Sequence, residues 1–161
     1  MIEEIIKQIE SMDLMYHKLM LIVAKSGTGK TKLVQELSKK MEAPIINVNL
    51  EMSRRMLEFT ERQRKLHANI VFEDLIKEHK SNTIFLDNIE LLFDVELELD
   101  PLKLLKNIAR NFKIICTWNG NVGENVLVYA KSGHPEYKKY DTKDILIFNL
   151  NDQQDFSIRN K

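Results

Sequence analysis

The stretch "KLMLIVAKSGTGKTKLVQELSKKM", residues 18–41, contains three segments of different physical character. Residues 18–24 are short, almost wholly apolar and followed by a glycine-containing turn, which predicts a strand buried on both faces of a parallel sheet. Residues 30–41 carry Leu33, Val34, Leu37 and Met41 at helical spacing, which predicts a helix with that side turned inward. The connecting "AKSGTGKT" matches the phosphate-loop pattern GxxxxGK(S/T) except that Ala24 stands at its first glycine. Strand, loop and helix follow in the order such a loop requires. Its chemistry needs backbone N–H groups aimed inward around an anion, a conformation that Gly27 and Gly29 tolerate. Ala24 ends the strand, where a methyl group need not enter the cradle. The nucleotide contacts expected are Ser26, Gly27, Thr28, Gly29, Lys30, Thr31 and Lys32. Lys30 is expected to reach the β- and γ-phosphates of ATP and Thr31 to ligate Mg²⁺, with the positive end of the helix facing the anion.

The rest of the chain extends this unit into an alternation of strands and helices. Ile2, Ile5, Ile6, Ile9 and Met12 mark an N-terminal helical segment within residues 1–17. "PIINVNL", residues 44–50, reads as a second strand, and residues 53–80 as a mostly helical, charge-rich return. "NTIFLDNIELLF", residues 82–93, supplies a third strand whose apolar run ends at Asp87. Asp100 reads as an N-cap with Pro101 at the first helical position, ahead of Leu102, Leu104, Leu105 and Ile108. "FKIICTWNG" reads as a fourth strand running into a turn at Asn119 and Gly120. "NVLVYA" and "DILIFNL" read as strands separated by a polar stretch, and residues 151–161 as a flexible tail. The fold expected is a three-layer αβα P-loop NTPase core with a mainly parallel sheet, in a single domain over residues 1–161. No C-terminal helical lid is expected.

Composition restricts the function classes. Lys plus Arg equals Asp plus Glu at 24 each, so no general attraction to nucleic acid or an anionic membrane follows. No apolar run approaches the roughly 20 residues of a membrane-spanning helix, and the N-terminus has no leader pattern, which fits a cytoplasmic protein. The single Cys116 lies in an apolar strand and reads as a buried thiol. His134, between Gly133 and Pro135, reads as part of a surface turn, with no partner at metal-ligand spacing.

Three further groups could serve phosphoryl chemistry. Asp87, at the carboxyl end of a buried strand 56 residues after Thr31, is placed to support the Mg²⁺ shell. In ring-forming ATPases of the AAA+ type the next residue is usually a glutamate that polarises water. Here it is Asn88, which orients water but accepts no proton at neutral pH. Glu90, two residues on, is the alternative base. Thr117 and Asn119 end the fourth strand, where a polar sensor of the γ-phosphate and an ordinary turn are both open readings. Trp118 reads as a core aromatic. No arginine lies between that strand and Arg159, which leaves the usual finger position empty. Arg54, Arg55, Arg62, Arg64 and Lys65 form the one local basic cluster. It is interrupted by Glu58 and Glu61, and it reads as a solvated helix face, as the source of a finger acting in trans or as a DNA contact.

The segments "AKSGTGKT", "TIFLDNIELLF", "LDPLKLLKNIARN", "TWNG" and "GHPEY", in that order, resemble the BrxF family, the small P-loop proteins of type 3 bacteriophage-exclusion (BREX) systems in bacteria. The resemblance covers about residues 19–150. It implies ATP and Mg²⁺ as ligands and a place among other BREX type 3 components acting on phage DNA. It also implies ATP binding at Gly27, Gly29, Lys30 and Thr31, Mg²⁺ support from Asp87 and a sensor at Thr117 or Asn119. The functions expected are a nucleotide-gated module, in which slow or partner-dependent hydrolysis controls self-association or docking, and a weak or assembly-dependent ATPase. A DNA-binding adaptor with a structural nucleotide is the third.

Overall fold

The computed structural model describes residues 1–130 and 136–152. Its centre is the strand β1 (Leu19–Ala24), in which all six residues are buried. Alternation sends Leu19, Leu21 and Val23 into one apolar cluster and Met20, Ile22 and Ala24 into the other. An uninterrupted apolar run is what a strand covered on both faces requires.

Around it the parallel strands β2 (Ile45–Asn47), β3 (Thr83–Asp87), β4 (Lys113–Gly123) and β7 (Leu146–Asn149) assemble in the order β2-β3-β4-β1-β7. The helices α1 (Ile2–Ser11) and α2 (Lys30–Met41) cover one face through Ile5, Ile9, Leu33, Val34 and Leu37. The helices α3 (Val48–Arg55), α4 (Glu61–Lys77) and α5 (Pro101–Ile108) cover the other through Met52, Phe72, Leu75, Leu105 and Ile108. This is the three-layer αβα core of a P-loop NTPase.

Local chemistry sets the helix starts. Thr60 caps α4 in a reciprocal box with Gln63, and Asp100 caps α5 ahead of Pro101, accepting from the Lys103 N–H at 3.3 Å. Three expectations need correction. Only residues 45–47 of the second apolar stretch are extended, because the Asn47 side chain accepts from the Leu50 N–H and starts α3 at Val48. The mostly helical return is carried by two helices, with residues 56–60 between them.

The fourth strand does not turn at Asn119–Gly120. It continues to Gly123, leaving parallel pairing with β1 at Asn119 and entering an antiparallel ribbon with β5 (Val126–Tyr129), which pairs in turn with β6 (Lys138–Asp141). Gly120 is there because the chains approach closely. A Cβ at this position would fall inside the Val128 carbonyl oxygen's contact radius, 2.9 Å from its carbon and 3.2 Å from Tyr129 Cα. Strand β6 lies within the polar stretch, and most of the expected turn around His134 and most of the tail fall outside the described residues. No helix of the described residues is long and apolar enough to cross a membrane.

Candidate nucleotide-binding site

The carboxyl ends of β1, β3 and β4 converge with the loop that opens α2. Gly27 and Gly29 have φ of +79° and +92°, the left-handed region glycine enters without strain, and the space a Cβ would take at either is open. Gly29 precedes α2 with no side chain capping it, so the first-turn N–H groups remain available to an acceptor. Lys30 is 7% exposed, and its Nζ donates to Lys25 O at 2.9 Å and Ala24 O at 3.3 Å. Burial lowers its pKa, an effect opposed by the charges of Asp87 and Glu90. An open loop of N–H donors beside a desolvated ammonium fits a polyphosphate, and the residues present pass that test. Ser26, Thr28, Thr31 and Lys32 lie in the same loop and first turn.

Asp87, at the end of β3, is buried and accepts from Thr117 Oγ1 at 2.7 Å. Among the described residues no group of three or more His, Cys, Asp or Glu is arranged to hold a metal ion. Mg²⁺ commonly takes one or two protein oxygens and draws the rest of its shell from phosphates and water, a demand that the Asp87 carboxylate fits.

Beyond Asp87 the geometry differs most from a residue-by-residue reading. Asn88 adopts φ +53°, a conformation asparagine tolerates better than most side chains. Its carbonyl accepts from the Asn49 N–H at 2.9 Å, and the turn leads into the short 3-10 segment Glu90–Phe93. Glu90 is thereby brought to the site with both carboxylate oxygens engaged. Asn119 Nδ2 donates to Oε1 at 2.9 Å and Asn49 Nδ2 donates to Oε2 at 2.7 Å. Asn49 Oδ1 also accepts from the Leu91 N–H at 2.8 Å, so this one side chain braces both the carboxylate and its backbone. Asn49 escaped the sequence reading, because it lies in a segment read as strand and 41 positions from Glu90.

Asn119 and Thr117 thus have different partners, Glu90 and Asp87. Next to them a cavity of about 340 Å³ is lined by Lys25, Ser26, Glu90, Asn119, Tyr129 and Glu136, among others. Burial pushes the Cys116 thiol well above its usual range, with Asp87 and Glu90 acting in the same direction.

The match to known proteins is decided by residues 20–132, which fit the family model "ATPase family associated with various cellular activities (AAA)". The chain belongs to the AAA family. Among solved structures, this AAA chain is similar to C. elegans PCH-2 at 18% identity and a TM-score of 0.45, covering 92% of this chain and 41% of that one. It is also similar to Drosophila ORC bound to DNA at 16% identity and a TM-score of 0.46, covering 92% and 42%. The chain therefore spans about two-fifths of either protein. No curated protein sequence matches it. Family membership makes the phosphate loop that of an ATP-binding AAA module.

The basic cluster is interleaved with acids. Arg54 pairs with Glu51 at 3.3 Å, Arg55 with Glu78 through two bonds, and Lys65 with Glu98 at 2.8 Å. Arg62, Arg64 and Lys65 line a cavity of about 710 Å³ together with Glu61, Asp94 and Glu96. Carboxylates at this density oppose the uniform positive field that binding to a DNA backbone uses.

Proposed function

We propose that this chain is an ATP·Mg²⁺-dependent module of a bacterial anti-phage defence assembly of the BREX type 3 kind, working in the cytoplasm as a single P-loop domain. Bound nucleotide controls its self-association or its docking to other components, and hydrolysis is slow or dependent on partners. The observation that carries this reading is the pairing of an intact phosphate loop with a restrained Glu90. A general base must present a lone pair to the attacking water, and both oxygens of Glu90 are already engaged as acceptors, from Asn119 and Asn49. Chemistry then waits on an event that frees the carboxylate.

In this reading Ser26 to Lys32 wrap the phosphates, Lys30 supplies charge, and Thr31 and Asp87 hold Mg²⁺. Thr117 orients Asp87, Asn119 reads the γ-phosphate, and Glu90 accepts the proton of water. Asn88 shapes the turn that delivers Glu90. The defence role is supported by the residues shared with the BrxF family, of which "LDPLKLLKNIARN" spans α5 and "TWNG" lies in β4.

The test is a titration paired with a sizing experiment. Lys30→Ala removes a charge-assisted contact worth about 1.5–3 kcal/mol, which corresponds to a roughly 10- to 150-fold loss of ATP affinity. Light scattering with no nucleotide, ADP and a non-hydrolysable ATP analogue should show a change of mass with the analogue alone. Equal affinity in the two proteins refutes the phosphate-loop assignment, and a mass independent of nucleotide refutes control of self-association.

A further inference from the structure

Beyond β7 the chain reaches back over the phosphate loop. Strand β7 lies beside β1 with Asn149 in register with Val23, so the residues that follow emerge next to Lys25. Phe148 and Leu150 are buried in the cluster that holds Leu33 and Val34 of α2, and they anchor this end of the strand. Asn149 Oδ1 accepts from the Asn151 N–H at 3.1 Å, the local bond that lets asparagine set a turn. The Asn151 side chain then bridges two other elements. Its Oδ1 accepts from the Lys25 N–H at 3.2 Å, at the start of the loop. Its Nδ2 donates to Gly120 O at 3.3 Å and to Asn121 Oδ1 at 3.1 Å, where β4 enters the antiparallel ribbon. Both N–H groups of the amide are used, so one side chain crosses the end of β1 and ties loop to ribbon.

On the loop side, the peptide that Asn151 holds is one that also holds Lys30. The Lys25 N–H and the Ala24 carbonyl belong to a single peptide unit. Lys30 Nζ donates to that carbonyl at 3.3 Å and to Lys25 O at 2.9 Å, so the unit is restrained by Asn151 at one end and by the lysine at the other. A phosphate oxygen carries charge where these carbonyls carry only dipoles, so bound polyphosphate draws the ammonium away from them. The peptide then keeps its bond to Asn151 and loses the one to Lys30. Lys25, Gly120 and Asn121, the three residues that Asn151 touches, all line the cavity of about 340 Å³ that Glu90 and Asn119 also line.

We propose that Asn151 is a positioning residue that couples occupancy of the phosphate loop to the β4–β5 ribbon, through the Ala24–Lys25 peptide. Any ligand that fills the loop with phosphate, ADP included, then moves Gly120 and Asn121, and with them the wall of the cavity beside Glu90. The coupling rests on the assignment of the phosphate loop. It needs neither a γ-phosphate contact at Asn119 nor a base at Glu90.

The test uses the full chain and ¹H–¹⁵N NMR spectra, in which glycine amides have a region of their own. Of the five glycines, Gly27 and Gly29 report the loop, and Gly120 and Gly123 report the ribbon. Without nucleotide, Asn151→Ala should speed exchange of the Lys25 amide about 2- to 12-fold, the range of one neutral hydrogen bond, and Asn151→Asp, which keeps an acceptor, should not. Saturating ADP with Mg²⁺ should move all four glycine signals in the wild type, and only Gly27 and Gly29 in Asn151→Ala. Equal movement of Gly120 and Gly123 in both proteins overturns the proposal, as does Lys25 exchange that Asn151→Ala leaves unchanged. Loop signals that move in the wild type while the ribbon stays still overturn the coupling and leave the phosphate loop standing. Loop signals that do not move refute the phosphate-loop assignment, and the coupling falls with it.

Discussion

Adding one methyl group at Gly120 tests the ribbon and its link to the site together. The new Cβ in Gly120→Ala would fall inside the contact radius of the Val128 carbonyl oxygen, with the carbonyl carbon at 2.9 Å and Tyr129 Cα at 3.2 Å. All three are backbone atoms, so no side chain can swing away, and strand β5 must separate from β4. Overpacking of this kind costs about 1–3 kcal/mol. The separation also strains the Trp118 Nε1 bond to Val128 O, 3.2 Å long, worth about 0.5–1.5 kcal/mol. The total of roughly 2–4 kcal/mol lowers the melting temperature by about 4–16 °C in a chain of this size. Urea unfolding followed by the fluorescence of the single tryptophan measures it, since Trp118 sits edge-on to Phe93, Tyr129 and Tyr140. Gly123→Ala is the control: nothing lies within 4 Å of its Cβ position, so a change within about 0.5 kcal/mol is expected. A Gly120→Ala protein as stable as Gly123→Ala, with wild-type fluorescence, would refute the close-approach argument and return Asn119–Gly120 to an ordinary turn.

Asn88→Ile should cost about 1–2 kcal/mol, because a β-branched side chain is strained at φ +53°, whereas Asn88→Gly should stay within about 1 kcal/mol; equal stabilities in thermal unfolding count against the turn. Asn49→Ala takes a donor from Glu90 Oε2 and an acceptor from the Leu91 N–H, and should lose about 1–3 kcal/mol in urea unfolding with little change in ATP affinity. An unaltered midpoint argues that Asn49 braces nothing. Cys116 should react with a thiol reagent at pH 8 only as fast as the protein unfolds, and rapid labelling of the native protein contradicts its burial. Its folded pKa is raised, first by burial, so its contribution is intact below the unfolded thiol's ordinary pKa of about 8.5, and stability falls as pH rises above it. Cys116→Ala should flatten that alkaline decline.

Legibility in the sequence followed the range over which each signal acts. The β1–loop–α2 unit was readable because its determinants are local: an apolar run, two glycines at fixed offsets and a helical stripe. The Asp100–Pro101 start of α5 was readable for the same reason. The Asn119–Gly120 pair misled because Asn-Gly is a strong local turn signal, while the actual demand on Gly120 comes from Val128 and Tyr129 on another strand. Strand β6 was hidden because Lys138–Asp141 has little apolar alternation, its pairing set by β5 beside it. Asn49 was invisible for a deeper reason. A polar residue 41 positions from its partner leaves no pattern in the chain.

Position 88 now has a different meaning. Read along the chain, asparagine there looks like a lost acid. In three dimensions it is a left-handed residue whose carbonyl ties the turn to α3, and that turn brings Glu90 within hydrogen-bond reach of Asn119. Burial lowers the pKa of Lys30 and the charges of Asp87 and Glu90 oppose that shift, so both carboxylates lie within electrostatic reach of the phosphate loop. A glutamate directly after Asp87 would be tied to the strand's own geometry. One delivered through a turn is set by whatever holds the turn, here Asn49, Asn119 and the Phe93–Tyr129 stack. The altered motif therefore places the Glu90 carboxylate on an element that α3 and the β4–β5 ribbon restrain, and under the proposed function movement of either element would shift that carboxylate without touching the phosphate loop.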